Sequence, residues 1–142
     1  SQVYELLPFD DTIVLMNMKG SEIVMALEDG VEAGSRKYGG KFADRPLVYV
    51  SGIRFELNGG KTKGVRLSGV QVLDGDAYRP IDPDGTYSVA VNSFISEGGD
   101  FYDTLKRIPG KIDTGYSDAE VMLDFVKGKT LRDPEPRITI LE

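Results

Sequence analysis

Residues 92–102 read Asn-Ser-Phe-Ile-Ser-Glu-Gly-Gly-Asp-Phe-Tyr and gather most of what this sequence offers for ligand chemistry. A β-like run, Tyr87-Ser88-Val89-Ala90-Val91, leads into them. Glycine has no Cβ, so the Gly98-Gly99 pair lets backbone and the following Asp100 carboxylate come close to a ligand. Phe94 enters the turn on one side, and Phe101 and Tyr102 leave on the other. Aromatic rings bind flat heterocycles by stacking, and two rings can sandwich one base. A carboxylate can accept hydrogen bonds from two vicinal hydroxyls, as on a ribose. A ring, a glycine corner and a carboxylate together suit a small flat polar molecule. The plainer reading stands beside this one: phenylalanines such as Phe9 and Phe94 usually belong to a core, and Asp100 after two glycines also suits a turn or a helix N-cap.

Other polar groups offer less. Asp10-Asp11, Asp74 with Asp76, and Asp82 with Asp84 could each pass for a metal or acid–base pair. All lie in turn sequences, where aspartate is favoured for backbone reasons. Asp74-Gly75-Asp76 lacks the spacing and terminal glutamate of a calcium loop. Arg36-Lys37, Lys41 and Arg45 could meet a phosphate but read better as a solvated loop face. Gly39-Gly40 lacks the strand, helix and Lys-Ser/Thr of a phosphate loop. The chain has no histidine and no cysteine, so imidazole bases, catalytic triads, thiolate chemistry and Cys/His zinc sites are excluded. No residue is assigned a catalytic or metal-binding role, and no cofactor is expected in this chain.

The 142 residues carry a net charge of −6, which disfavours a nucleic-acid polymer as partner. No apolar run is long enough to cross a bilayer, and membrane insertion is not expected. A secretory signal is absent, which does not exclude secretion. The length suits one domain with its own core. Residues 1–7 are helix-compatible up to Pro8, and the apolar run at residues 12–18 predicts a central strand covered on both faces. Ser21 and Glu22 open a helix over residues 21–32, with Gly30 weakening its last turn. Residues 33–46 read as an exposed loop. Residues 49–57 alternate as a strand, Asn58-Gly59-Gly60 predicts a hairpin turn, and residues 64–73 return with a kink at Gly69. Shorter strands follow over 78–81 and 86–91, then a short helix over 101–107 and a loop over 108–115. Ser117 and Glu120 match a capping box for a helix with Val121, Met122, Phe125 and Val126 on one face. Residues 137–141 form a last strand. This order predicts an α+β fold, a single domain with a mixed β-sheet, hairpins and about three to four helices.

Several segments together resemble the C-terminal domain of the 5′-nucleotidases, a family that includes UDP-sugar hydrolases and cyclic-nucleotide phosphodiesterases. The matching residues are Leu7-Pro8-Phe9 with Thr12-Ile13-Val14, Lys19-Gly20-Ser21-Glu22, Val50-Ser51-Gly52-Ile53-Arg54-Phe55, and Pro80-Ile81-Asp82-Pro83 with Thr86-Tyr87-Ser88-Val89. Asn92-Ser93-Phe94 through Gly98-Gly99-Asp100 completes them, and residues 113–120 resemble the bacterial branch. The resemblance implies that residues 1–142 are the substrate-specificity domain of a two-domain metallophosphatase. Two divalent metals and a catalytic Asp-His pair would lie in an N-terminal domain of the same polypeptide, outside this chain. By motif, Phe9 and Phe94 would stack on either side of a base, Asp100 would hold the ribose, and Gly98 and Gly99 would frame the pocket. The resemblance also implies a nucleoside or nucleotide substrate and an extracytoplasmic location: periplasmic, secreted or cell-surface. One departure stands out, because the family usually has glycine where this chain has Phe101, and a bulky residue there would reshape the loop. By itself the chain is expected to bind nucleosides and hydrolyse nothing. The alternative is a non-catalytic ligand- or protein-binding module on the same fold.

Overall fold

The computed structural model describes residues 2–37 and 48–141. Its elements in order are α1 (Gln2–Leu6), β1 (Thr12–Lys19), α2 (Gly20–Lys37), β2 (Ile53–Asn58), β3 (Leu67–Asp74), β4 (Ala77–Pro80), β5 (Thr86–Asn92), α3 (Ser93–Ser96), a 3-10 turn (Gly99–Phe101), α4 (Asp103–Arg107), β6 (Ile112–Ser117), α5 (Asp118–Val126) and β7 (Ile138–Leu141). The α+β class is as expected, but among the described residues the strands form two sheets and there are five α-helices. One sheet has the order β5-β1-β6 and the other β4-β3-β2-β7. The second is mixed, because β7 runs parallel to β2 while β3 runs antiparallel to it.

The central strand β1 is buried on one face and not on both. Val14, Met16 and Met18 point inward, while Leu15, Asn17 and Lys19 are exposed. An antiparallel strand with one solvated face shows this alternation, and Leu15 and Ile13 mask it in the sequence. The inward residues pack with Ala26, Leu105 and Ile108. A second cluster joins Leu27 and Val31 to Val48, Ile53, Phe55 and Leu57. Helix α2 therefore feeds both cores, and Ile23 packs against each of them.

The start of α2 is closed by the turn before β5. The Gly20 and Ser21 amides donate to the carbonyls of Gly85 and Pro83 at 3.0 Å each. Glu22 accepts from the Lys19 amide at 2.8 Å, which is half of a capping box. The helix does not end near Glu32 but continues to Lys37, so residues 33–37 are not loop. Residues 38–46 of the expected loop, with Gly39-Gly40, Lys41 and Arg45, lie outside the described residues. Gly30 sits where the Tyr102 hydroxyl and Val48 press against the helix, and a Cβ there would overlap both.

Elsewhere, the kink at Gly69 is present: φ is +57° and the β2–β3 register shifts between Arg54 and Glu56. The Asn58 side chain accepts from the Gly60 amide at 3.0 Å, but β3 begins only at Leu67, so the connection is longer than a two-residue hairpin. Residues 112–115, expected as loop, belong to β6. That strand lacks alternation and is distorted at Gly115, with φ +69° and a register shift against β1. Ser117 is the N-cap of α5, yet its side chain makes no capping hydrogen bond; the Asp118 amide donates instead to the Asp11 carbonyl at 2.8 Å.

The Gly30 contact yields a direct test. Gly30→Ala places a methyl in an occupied space and is expected to cost about 1–3 kcal/mol, as overpacking does. Thermal unfolding should show a lower Tm, and an unchanged or raised Tm would contradict the close approach.

Candidate functional site

The two candidate phenylalanines come from turns that are tied to each other. Phe9 lies between α1 and β1, and Phe94 lies in the single turn of α3 that follows β5. In the β1–β5 ladder Ile13 pairs with Asn92, so the chain before β1 and the chain after β5 emerge at the same end. The Ser93 hydroxyl closes that end. It accepts from the Thr12 amide at 3.1 Å and donates to the Asp11 carboxylate at 3.0 Å. Asn92 accepts from the Ile95 amide at 3.0 Å and caps α3. Both rings then face solvent: Phe9 is 83% exposed and Phe94 51%. That argues against the reading of these two as core residues, because an apolar ring gains nothing from water.

The glycines serve the Phe94 ring. A Cβ on Gly99 would lie 2.6 Å from its atoms, so the missing side chain lets the ring lie against the backbone. Gly98 has φ +94° and faces the aliphatic stem of Lys106. Asp100 and Phe101 follow, both exposed, with φ of +51° and +66°. Asp100 is no N-cap; it sits inside the 3-10 turn, next to Gly99 under the Phe94 ring. The Arg36 guanidinium lies over the Phe101 ring, 5.3 Å from its centroid.

Behind this loop Tyr102 turns inward against Gly30. Burial pushes its phenol up to about 12, with further pushes from the negative charges of Asp100 and Asp29. Asp29 itself is buried. Burial pushes its carboxyl up, but hydrogen bonds from Lys63 and from the Thr104 amide (2.8 Å) outweigh that and hold it below its ordinary value. The Asp29 side chain thereby satisfies a free amide at the start of α4 and fastens that helix to α2.

Three of the aspartates in the acidic pairs have structural partners. Asp74 pairs with Arg79 at 3.0 Å, and Asp82 accepts from the Asp84 amide at 3.0 Å. Asp11 is occupied with Ser93. Among the described residues no three His, Cys, Asp or Glu side chains stand together as a metal site. No helix among them is long and apolar enough to cross a membrane. The sequence reading missed the Ser93–Asp11 bridge, Arg36 against Phe101, and Tyr102 against Gly30. Only the last left a trace, a glycine in mid-helix.

The profile of the 5′-nucleotidase, C-terminal domain family matches residues 1–107. The chain belongs to this family. It is 32% identical to a 5′-nucleotidase of Diplobatis ommata over 143 residues, covering 96% of this chain and 24% of that protein. It is 29% identical to a snake venom 5′-nucleotidase of Macrovipera lebetinus, covering 99% of this chain and 35% of the other. The crystal structure of a 5′-nucleotidase precursor from Thermus thermophilus superposes with a TM-score of 0.85 at 38% identity, over 99% of this chain and 27% of that one. The chain thus spans about a quarter to a third of the length of these relatives. Family membership fits a nucleotide-binding substrate domain.

Tyr102 supplies a pH test. An unfolded tyrosine ionises near 10.0, so stability drawn from the neutral Tyr102 phenol is intact below pH 10 and is lost as pH rises from there toward about 12. Among the seven tyrosines, a tyrosinate absorbance titration should show one that lags behind the rest. Tyr102→Phe should remove that late phase and flatten the fall in stability between those pH values. Seven tyrosines titrating together would contradict the burial of this hydroxyl.

Proposed function

We propose that this chain is the nucleoside-binding, substrate-specificity domain of a nucleotide-hydrolysing metallophosphatase. In this reading Phe9 and Phe94 stack on the two faces of a base, Asp100 accepts from the ribose hydroxyls, and Gly98 and Gly99 frame the pocket. The observation that carries the reading is the exposure of both rings at one end of the β1–β5 ladder, on turns hydrogen-bonded to each other. Core phenylalanines would not be displayed in this way, and paired solvent-facing rings are what a stacking platform requires. Asp100 is exposed and follows Gly99, which lies under the Phe94 ring, and this supports the ribose role given to its carboxylate.

The hydrolytic chemistry belongs to a second domain. Its two divalent metals would activate a water for attack on the phosphate, while the present residues bind and orient the nucleoside end. The share of the relatives' length that this chain leaves uncovered has room for such a domain. An extracytoplasmic location is in keeping with the venom enzyme among the relatives.

Calorimetric titration of adenosine and uridine tests the reading. Phe9→Ala and Phe94→Ala should each weaken binding by about 1–3 kcal/mol, the usual worth of a stacked base. Affinity unchanged in both variants would refute the sandwich and leave the fold as a module for another partner.

A further inference from the structure

Asp100 and Phe101 are consecutive non-glycine residues in left-handed backbone, with φ of +51° and +66°. For a bulky residue such as Phe101 this is a steric outlier. Such strain persists only where the surroundings over-determine it, and it gathers where a function needs a fixed geometry. The surroundings here are specific. Tyr102 is wedged against Gly30 and donates its amide to the Gly99 carbonyl at 3.2 Å. The Phe101 ring, 55% exposed, has little apolar packing to hold it. What lies over it is the Arg36 guanidinium, 5.3 Å from the ring centroid. Arg36 is aimed in turn: its Nε donates to one Glu32 oxygen at 3.1 Å, while the other Glu32 oxygen accepts from Arg66 at 2.7 Å. A charged relay therefore runs from the start of β3, through the last turns of α2, to the loop that bears Asp100.

We propose that Arg36 is a positioning residue for ribose recognition: by stacking on Phe101 it keeps residues 100 and 101 left-handed and so directs the Asp100 carboxylate toward vicinal hydroxyls. The inference rests on the nucleoside reading above. It assigns to Arg36 a role that its exposed place in the last turn of α2 does not announce. Without the guanidinium, the balance at residues 100 and 101 shifts toward ordinary backbone, and the carboxylate spends less time in the ribose-directed position. The stacking rings sit on other segments, Phe9 before β1 and Phe94 in α3, so base affinity stays. The signature is a selective loss, confined to the sugar hydroxyls.

The experiment compares adenosine with 2′,3′-dideoxyadenosine by calorimetry on the chain and on Arg36→Met, Arg36→Lys and Phe101→Leu. The unsubstituted chain should prefer adenosine. Arg36→Met should reduce that preference about two- to fivefold, the worth of an exposed cation–ring contact, with dideoxyadenosine affinity unchanged. Arg36→Lys keeps a cation and should restore part of the preference. Phe101→Leu keeps the strained side chain but removes the π face, so it should lose the preference similarly while leaving the Glu32 network intact, which separates loss of positioning from damage to α2. An unchanged preference in both Arg36→Met and Phe101→Leu overturns the proposal, as does an equal loss for both ligands. A chain that binds both nucleosides equally removes the Asp100 role and this inference with it. A chain that binds neither overturns the nucleoside reading itself.

Discussion

The Ser93 hydroxyl bridges the two halves of the proposed site, and the antiparallel register of β1 with β5 is what puts it there. With Ile13 opposite Asn92, the next position along brings Ser93 to the Thr12 amide and the Asp11 carboxylate. Residues more than eighty positions apart thus share one hydrogen-bonded corner. A register slip of one residue would turn every inward side chain of β1 outward, so the burial of Val14, Met16 and Met18 also fixes the corner. Core packing and site geometry are the same constraint seen from two ends of the strand.

Helix α2 imposes the second constraint. It supplies apolar residues to both cores and acidic residues to both neighbours. Glu28 accepts from the Arg66 and Leu67 amides at 2.7 and 3.1 Å, holding the start of β3. Asp29 holds the start of α4, and Glu32 pairs with Arg66 and Arg36. Buried carboxylates are costly unless hydrogen-bonded, and here the bonds go to backbone amides that would otherwise lack partners. The loop from Gly98 to Tyr102 is carried between α3 and α4, so its position follows from where α2 fastens α4.

Much of this was legible in the residues. The β-branched and alternating runs marked β1, β2 and β5, and glycine marked the kink in β3. The stacking role proposed for Phe9 and Phe94 came from family motifs, since composition alone favours a core for phenylalanine. Two things were hidden for physical reasons. Strand β6 has no hydrophobic alternation, because it is an edge strand with Ile112 and Tyr116 in solvent, and it forms by pairing with β1. The close approach of Tyr102 to Gly30 comes from seventy-two positions away, and no local pattern announces a ring that will fill the space of a missing Cβ. The same holds for Arg36, whose sequence neighbours suggest a solvated loop while its guanidinium lies over Phe101.

In the proposed site one corner of the fold presents two rings to one base. Nuclear Overhauser effects between a bound nucleoside and the chain test it most directly. Effects are expected from the base protons to the ring protons of both Phe9 and Phe94 in the same complex. A bound nucleoside whose base protons reach only one of these rings, or neither, would contradict it.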